Sequence, residues 1–227
     1  MTITRTLKFA AFGMMLAATS LHAQLSDPEL IMGRAGSWDF SLPLIYSFEG
    51  TIDGEGGSKV EVKDDLGFGF GGAFNLTDRF SLGGFFNWNS RVYDATAVQD
   101  NGAPYEYNNR LETTTIGINA SFFLLEGPVT PFVTGNVGYT FTDTNIQDGP
   151  TEVDCYWDPW WGYTCDGYVP TRSDDGASYS VGVGLRIDVS DTAAFQLSYN
   201  STWYEMSNAT STPNFDSIRL DFIFRSF

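Results

Sequence analysis

Histidine is almost missing from this chain: His22 is the only one among 227 residues. Cysteine is nearly as scarce, with Cys155 and Cys165 alone. Positive charge is thin, 12 Lys and Arg against 28 Asp and Glu, for a formal charge of −16. Beyond residue 23 no apolar run approaches the ~20 residues that a transmembrane helix needs. Each shortage excludes something. A helical membrane protein is ruled out, and a chain this acidic repels phosphate backbones, which rules out nucleic acid as a partner. Two thiols without imidazole support fall short of a closed metal site, and no motif calls for a cofactor.

The first residues explain where the lone histidine goes. Arg5 and Lys8 form a positive start, residues 9–18 are a short apolar run, and Leu21-His22-Ala23 offers a small-residue cleavage site. This pattern reads as a signal peptide over residues 1–23, cleaved before Gln24; as a membrane-spanning helix it is too short. Cleavage leaves 204 of the 227 residues, with no histidine, and takes the formal charge from −16 to −18 because Arg5 and Lys8 leave and no acid does. That length suits one domain. Residues 24–35 read as a periplasmic N-terminal segment and 36–227 as the folded unit. In an exported chain a lone cysteine pair is most simply a disulfide, Cys155–Cys165.

What the chain has in abundance is alternation. Trp38, Phe40, Leu42, Leu44 and Tyr46 share one face, and Asp39, Ser41, Pro43, Ile45 and Ser47 the other. Seven further segments repeat this period of two, in which large apolar residues oppose Gly, Ser, Thr and Asn. Eight segments of roughly 9–13 residues suit tilted membrane-spanning strands. Short turns at residues 76–78, 126–128 and 190–192 alternate with long connections at 49–62, 94–110, 142–176 and 206–215. Short periplasmic turns and long outer loops are the mark of an outer-membrane barrel. The predicted fold is therefore all-β, an eight-stranded antiparallel up-and-down transmembrane barrel in the outer membrane of a Gram-negative bacterium. A soluble lipocalin-like barrel also alternates, but with its apolar face inward and a charged exterior. Here the polar face is small and mostly neutral, which suits a crowded interior, and the apolar band suits lipid.

An eight-stranded barrel is just wide enough for its side chains to fill. The inward set includes Asp39, Asp65, Arg91, Arg186, Asp188, Arg219 and Asp221. Charges held away from bulk water need partners, so they predict mixed-sign networks in a plugged interior, with a proton or ion path as the alternative. Pro131 falls near a strand start, whereas Pro43 falls mid-strand and predicts a bulge. The most distinctive connection reads Cys155-Tyr-Trp-Asp-Pro-Trp-Trp-Gly-Tyr-Thr-Cys165. A disulfide there would close a loop of about 11 residues and pin Tyr156, Trp157, Trp160, Trp161 and Tyr163 into an aromatic knob. Such a knob suits contact with a partner or sugar; packing on itself or on the lipid interface is the plainer alternative. The loops also carry most of the acid, which reads as a solvated surface, or as weak Mg²⁺ or Ca²⁺ bridges to lipopolysaccharide phosphates.

Three stretches carry a resemblance: Asn75-Leu-Thr-Asp-Arg-Phe-Ser-Leu82, Pro131-Phe-Val-Thr-Gly-Asn-Val-Gly-Tyr139 and Gly182-Val-Gly-Leu-Arg-Ile-Asp-Val-Ser-Asp191. Together they resemble the small outer-membrane β-barrel superfamily of opacity, OmpW-like and OmpA-barrel-like proteins. The resemblance implies that Phe227 is the terminal aromatic read by the barrel assembly machinery. Its register departs from the family pattern, in which apolar residues alternate back from the last Phe. Here the apolar face is Leu220, Phe222 and Phe224, while Phe227 falls in step with Asp221, Ile223 and Arg225. Barrel lipases, palmitoyl transferases and proteases use a histidine base, which the mature chain lacks, so no enzyme is expected. The expected role is a non-catalytic barrel for envelope integrity and surface interaction through its outer loops. Its partners would be outer-membrane lipid, lipopolysaccharide and an extracellular ligand that the sequence does not name. An OmpW-like channel for small apolar solutes is the alternative.

Overall fold

A computed structural model describes residues 33–54, 58–98, 104–207, 209 and 211–227. The expected signal peptide and most of the N-terminal segment lie outside the described residues. Twelve strands occur among those described: β1 (Trp38–Ser47), β2 (Gly50–Asp53), β3 (Lys59–Val62), β4 (Asp65–Asn75), β5 (Phe80–Val98), β6 (Pro104–Phe123), β7 (Val129–Gln147), β8 (Glu152–Asp158), β9 (Gly162–Tyr168), β10 (Thr171–Asp188), β11 (Ala193–Tyr204) and β12 (Asn214–Ser226). Eight of them close an antiparallel barrel in the order β1-β4-β5-β6-β7-β10-β11-β12, and β12 returns to β1 from Trp38↔Ser226 to Ser47↔Ser217.

Alternation places the two faces. Leu42, Phe70, Ile118 and Val181 point outward and are more than half exposed, while Ser81, Ser121, Thr140 and Asn200 are buried in the lumen. In β1 the apolar band runs from Trp38 to Tyr46. Its eight steps of ~3.3 Å make about 26 Å along the strand, or roughly 20 Å of height at the usual ~40° tilt. That is the scale of an outer-membrane core. Tyr46 and Tyr139 at the outer rim donate their hydroxyls to Asp64 and Asp175, so each ring stays apolar while its tip is polar. Glycine makes room inside: a Cβ on Gly117 would lie 2.3 Å from the Val137 carbonyl oxygen and 2.9 Å from the ring of Phe85.

Two expectations need correction. Pro43 marks no bulge. β1 keeps one register against β4 on both sides of it, Ser41↔Gly71 and Leu44↔Phe68, and pairs Pro43 directly with Asp221 on β12. The proline omits ladder pairing toward β4 and fills the lumen with its buried ring. Nor are the connections at 94–110 and 142–176 mainly loop. The β5–β6 ladder continues unbroken to Val98↔Pro104, and β7–β10 continues to Gln147↔Thr171 with one register shift. Asn145, at φ 53°, accommodates the irregularity there.

The reason is a second core above the membrane. Beyond the belt the strands keep their period but exchange faces. Tyr93, Ala95 and Leu111 turn inward, and Asp94, Glu106, Asn108 and Arg110 turn outward. The β2–β3 hairpin pairs with β5 from Lys59↔Thr96 to Val62↔Tyr93, taking over from β4 where that strand has ended. Val62, Tyr93, Ala95, Leu111 and Phe215 then form a buried apolar cluster, with Ile52, Val60, Tyr107, Ile146 and Tyr204 packed around it. The barrel is lipid-facing below and water-facing above.

Candidate functional site

At the periplasmic end the lumen is filled by ions. β1 supplies Asp39, β10 supplies Arg186 and Asp188, and β12 supplies Arg225. Arg186 donates from Nη1 to Asp39 Oδ2 at 2.7 Å and from Nε to Asp188 Oδ1 at 2.9 Å. Arg225 reaches the same two carboxylates, Asp39 at 3.1 Å and Asp188 at 2.7 Å. Arg34, just before β1, closes the base. Its Nη1 meets Asp188 Oδ2 at 2.9 Å, and its other N–H groups donate to the carbonyls of Asp78, Leu125 and Gly127 in two periplasmic turns. All five side chains are at most 6% exposed. The guanidinium of Arg34 lies 4.6 Å from the centre of the Phe123 ring, which seals the other side. Charge-assisted bonds of this kind, out of reach of water, make a rigid plug.

The other inward charges behave differently. Arg219 binds Asp221 two residues along β12, from Nε and Nη2 at 2.8 Å. Asp65 is half-buried, accepts from the Leu66 N–H and makes no ion pair among the described residues. Arg91 is 3% exposed and sits 4.4 Å over the Phe215 ring with no carboxylate partner; its Nε and Nη1 have no hydrogen-bond partner among the described residues. A single network thus gathers Asp39, Arg186 and Asp188 and leaves Asp65 and Arg91 outside it. Sequence reasoning did not select Arg34 or Arg225. Arg225 shares the inward phase of Arg219 and Asp221 and could have been found by counting along β12. Arg34 lies outside any strand, where periodicity carries no information.

Between the ionic plug and the apolar cap lie two cavities, of about 60 and 80 Å³. Phe85, Asn136, Asn200 and Arg219 border both. At roughly 10–15 Å³ for each water, such spaces hold a few waters and no organic solute.

The outer connection between β7 and β10 carries the β8–β9 hairpin. Cys155 and Cys165 are directly opposed in its ladder and joined by a disulfide. Asp158 shapes the tip, accepting from the N–H groups of Trp160 and Trp161 at 2.7 and 2.8 Å, and Gly162 takes a positive φ of 80°. Trp157, Trp160, Trp161 and Tyr163 are 70–86% exposed, and Tyr156 is half exposed. The hairpin forms its own two-stranded sheet, apart from the barrel wall. In the outer wall, the Lys59 ammonium holds the Glu61 carboxyl below its ordinary range, with a direct bond at 2.6 Å. Phe227 follows β12 and is exposed.

The chain is similar to several solved outer-membrane protein structures. The solved structure of the outer membrane protein OprG from Pseudomonas aeruginosa is 10% identical, with a TM-score of 0.50 over 86% of this chain and 97% of its own. Neisserial surface protein A matches at 9% identity and 0.49, over 84% and 97%. The attachment invasion locus protein Ail of Yersinia pestis, in complex with a heparin analogue, matches at 12% and 0.47, over 85% and 99%. At these identities the OprG likeness is one of fold alone. No curated protein matches in sequence. The model of the outer membrane protein beta-barrel domain covers residues 9–225. With an eight-stranded barrel closed on itself and a family match over nearly its whole length, the chain belongs to the outer membrane protein β-barrel family, whose members are outer-membrane proteins of Gram-negative bacteria.

Proposed function

We propose that this protein is a non-catalytic barrel that supports envelope integrity and makes surface contacts through its acidic, aromatic outer loops. The observation that carries this reading is the filling of the lumen at both ends, by the Arg34–Asp39–Arg186–Asp188–Arg225 network below and the Val62–Tyr93–Phe215 cluster above. A conduit would leave a connected path, whereas the cavities between these ends are small. The same strands lift the disulfide-closed hairpin into the outer medium, where its four exposed aromatic rings supply rigid contact area. Lipid and lipopolysaccharide are the partners at the belt.

Reconstitution into planar bilayers tests this reading. The expected result is an absence of reproducible single-channel steps; steady steps would favour the small-solute channel instead. Phe227 is the proposed assembly signal. Deleting it is expected to lower outer-membrane levels, and unchanged levels would remove that role.

A further inference from the structure

The lumen carries an excess of positive charge inside an acidic protein. Among the described residues Arg34, Arg91, Arg186, Arg219 and Arg225 face inward, against buried Asp39, Asp188 and Asp221 and half-buried Asp65. The excess is not spread evenly. The plug and the Arg219–Asp221 pair use the buried aspartates, and Arg91 is left in contact with the face of Phe215, with the half-buried Asp65 acting on it from beyond ion-pair distance. The upper cavity, about 80 Å³, is bordered by Arg91 and Arg219 and by no Asp or Glu among the described residues. Neutral hydroxyl groups complete its wall, among them Thr113, Thr115, Ser178 and Ser217.

We propose that this cavity binds a small monovalent anion of the halide or nitrate kind, held by the Arg91 guanidinium. A buried ion needs a partner of opposite charge in contact, and an aromatic face with a more distant carboxylate supplies only part of one. Two guanidinium nitrogens, Nε and Nη1, are unpartnered; their N–H groups point from different edges of the guanidinium plane, so the anion takes one directly and water takes the other. The surrounding hydroxyls can turn their protons toward it. The unpartnered amide oxygens of Asn87 and Asn89 border the same space, so water shares it with the ion. The volume sets the ligand class: room for an ion and a few waters, none for an organic acid of any size. The apolar cap lies above the cavity.

The test uses the full folded chain, refolded in detergent with bromide present and gluconate, too large for the cavity, as the balancing anion. Bromide NMR line broadening should saturate at about one site per chain. Arg91→Met should abolish the saturable component, and Arg79→Met, on the exposed periplasmic surface, should leave it intact. Arg91→Lys keeps the charge but not the planar guanidinium donors and should bind at least tenfold more weakly; it also serves if the methionine variant does not fold, as judged by heat-modifiable mobility. Absence of saturable broadening in the natural protein overturns the proposal, as does broadening that survives in the Arg91 variants unchanged.

Discussion

On strand β6 the outward face changes chemistry within a few residues. Ile116 and Ile118 present more than half their surface to the belt, whereas Asn108 and Arg110, further out on the same face, are polar and exposed. The inward face changes in the opposite sense, from Thr113 and Thr115 to Leu111. β5 does the same between Trp88 and Tyr93. One continuous ladder therefore serves two solvents. In lipid the driving force for burial inside is absent and backbone bonding closes the barrel; in water the hydrophobic effect returns and requires a core. The membrane boundary on these strands is where the pattern inverts, and Arg91 sits at that level, between an apolar cap and a polar lumen.

The comparison can be broken most severely from below. Asp188 accepts from three arginines, so Asp188→Ala strands buried guanidinium groups and should cost about 3–5 kcal/mol. A lower urea midpoint of the heat-modifiable form would register it. In the cap, Phe215→Ala removes a ring from a tight cluster, a change that costs about 3–5 kcal/mol in protein cores. Its effect should be local: trypsin should cut after Lys59 or Lys63 while the belt keeps its heat-modifiable mobility. Loss of both together would make cap and belt one cooperative unit.

A matched pair of arginines sharpens the boundary itself. Ile118→Arg should destabilise by about 2–4 kcal/mol, as a charge facing lipid near mid-membrane. Asn108→Arg, on the same face of β6, should stay within about 0.5 kcal/mol. Equal effects would show that the inversion does not mark the membrane. For the hairpin, Cys165→Ser should release about 2–3 kcal/mol of chain-entropy constraint, seen in its tryptophan fluorescence and protease sensitivity, with the belt's midpoint unchanged. The smallest effect concerns Glu61. Its folded pKa lies below the ordinary 4.5 because of Lys59, so its contribution is present above that value and fades as pH falls through the depressed one. Acidification below about pH 4 should slightly increase cleavage of the exposed β2–β3 hairpin.

Legibility in the sequence followed the physics of each feature. Alternation was enough for eight strands and the shared phase of Asp39, Arg91, Arg186 and Asp188, because side-chain period is a property of an isolated strand; the small neutral polar face added which side meets lipid, and the turn lengths added the up-and-down direction. The outer wall was legible too, since Tyr93 lies an odd number of residues beyond Trp88 and so on the opposite face, but a search for apolar-out segments passes over an inverted one. The acidic surface and the paired cysteines are likewise composition and local spacing. Height along the barrel is a different matter. Whether two inward charges meet depends on the stagger of every intervening strand, and only the closed barrel sets Asp39 directly across from Arg225 and brings Arg186 and Asp188 to the same level. Arg34 joins them from outside the strands altogether. The sequence by itself determined which faces meet lipid and which meet the lumen; the tertiary structure decided which charges become partners, and left Arg91 without a carboxylate in contact, because register is a sum over the whole sheet and no segment carries it alone.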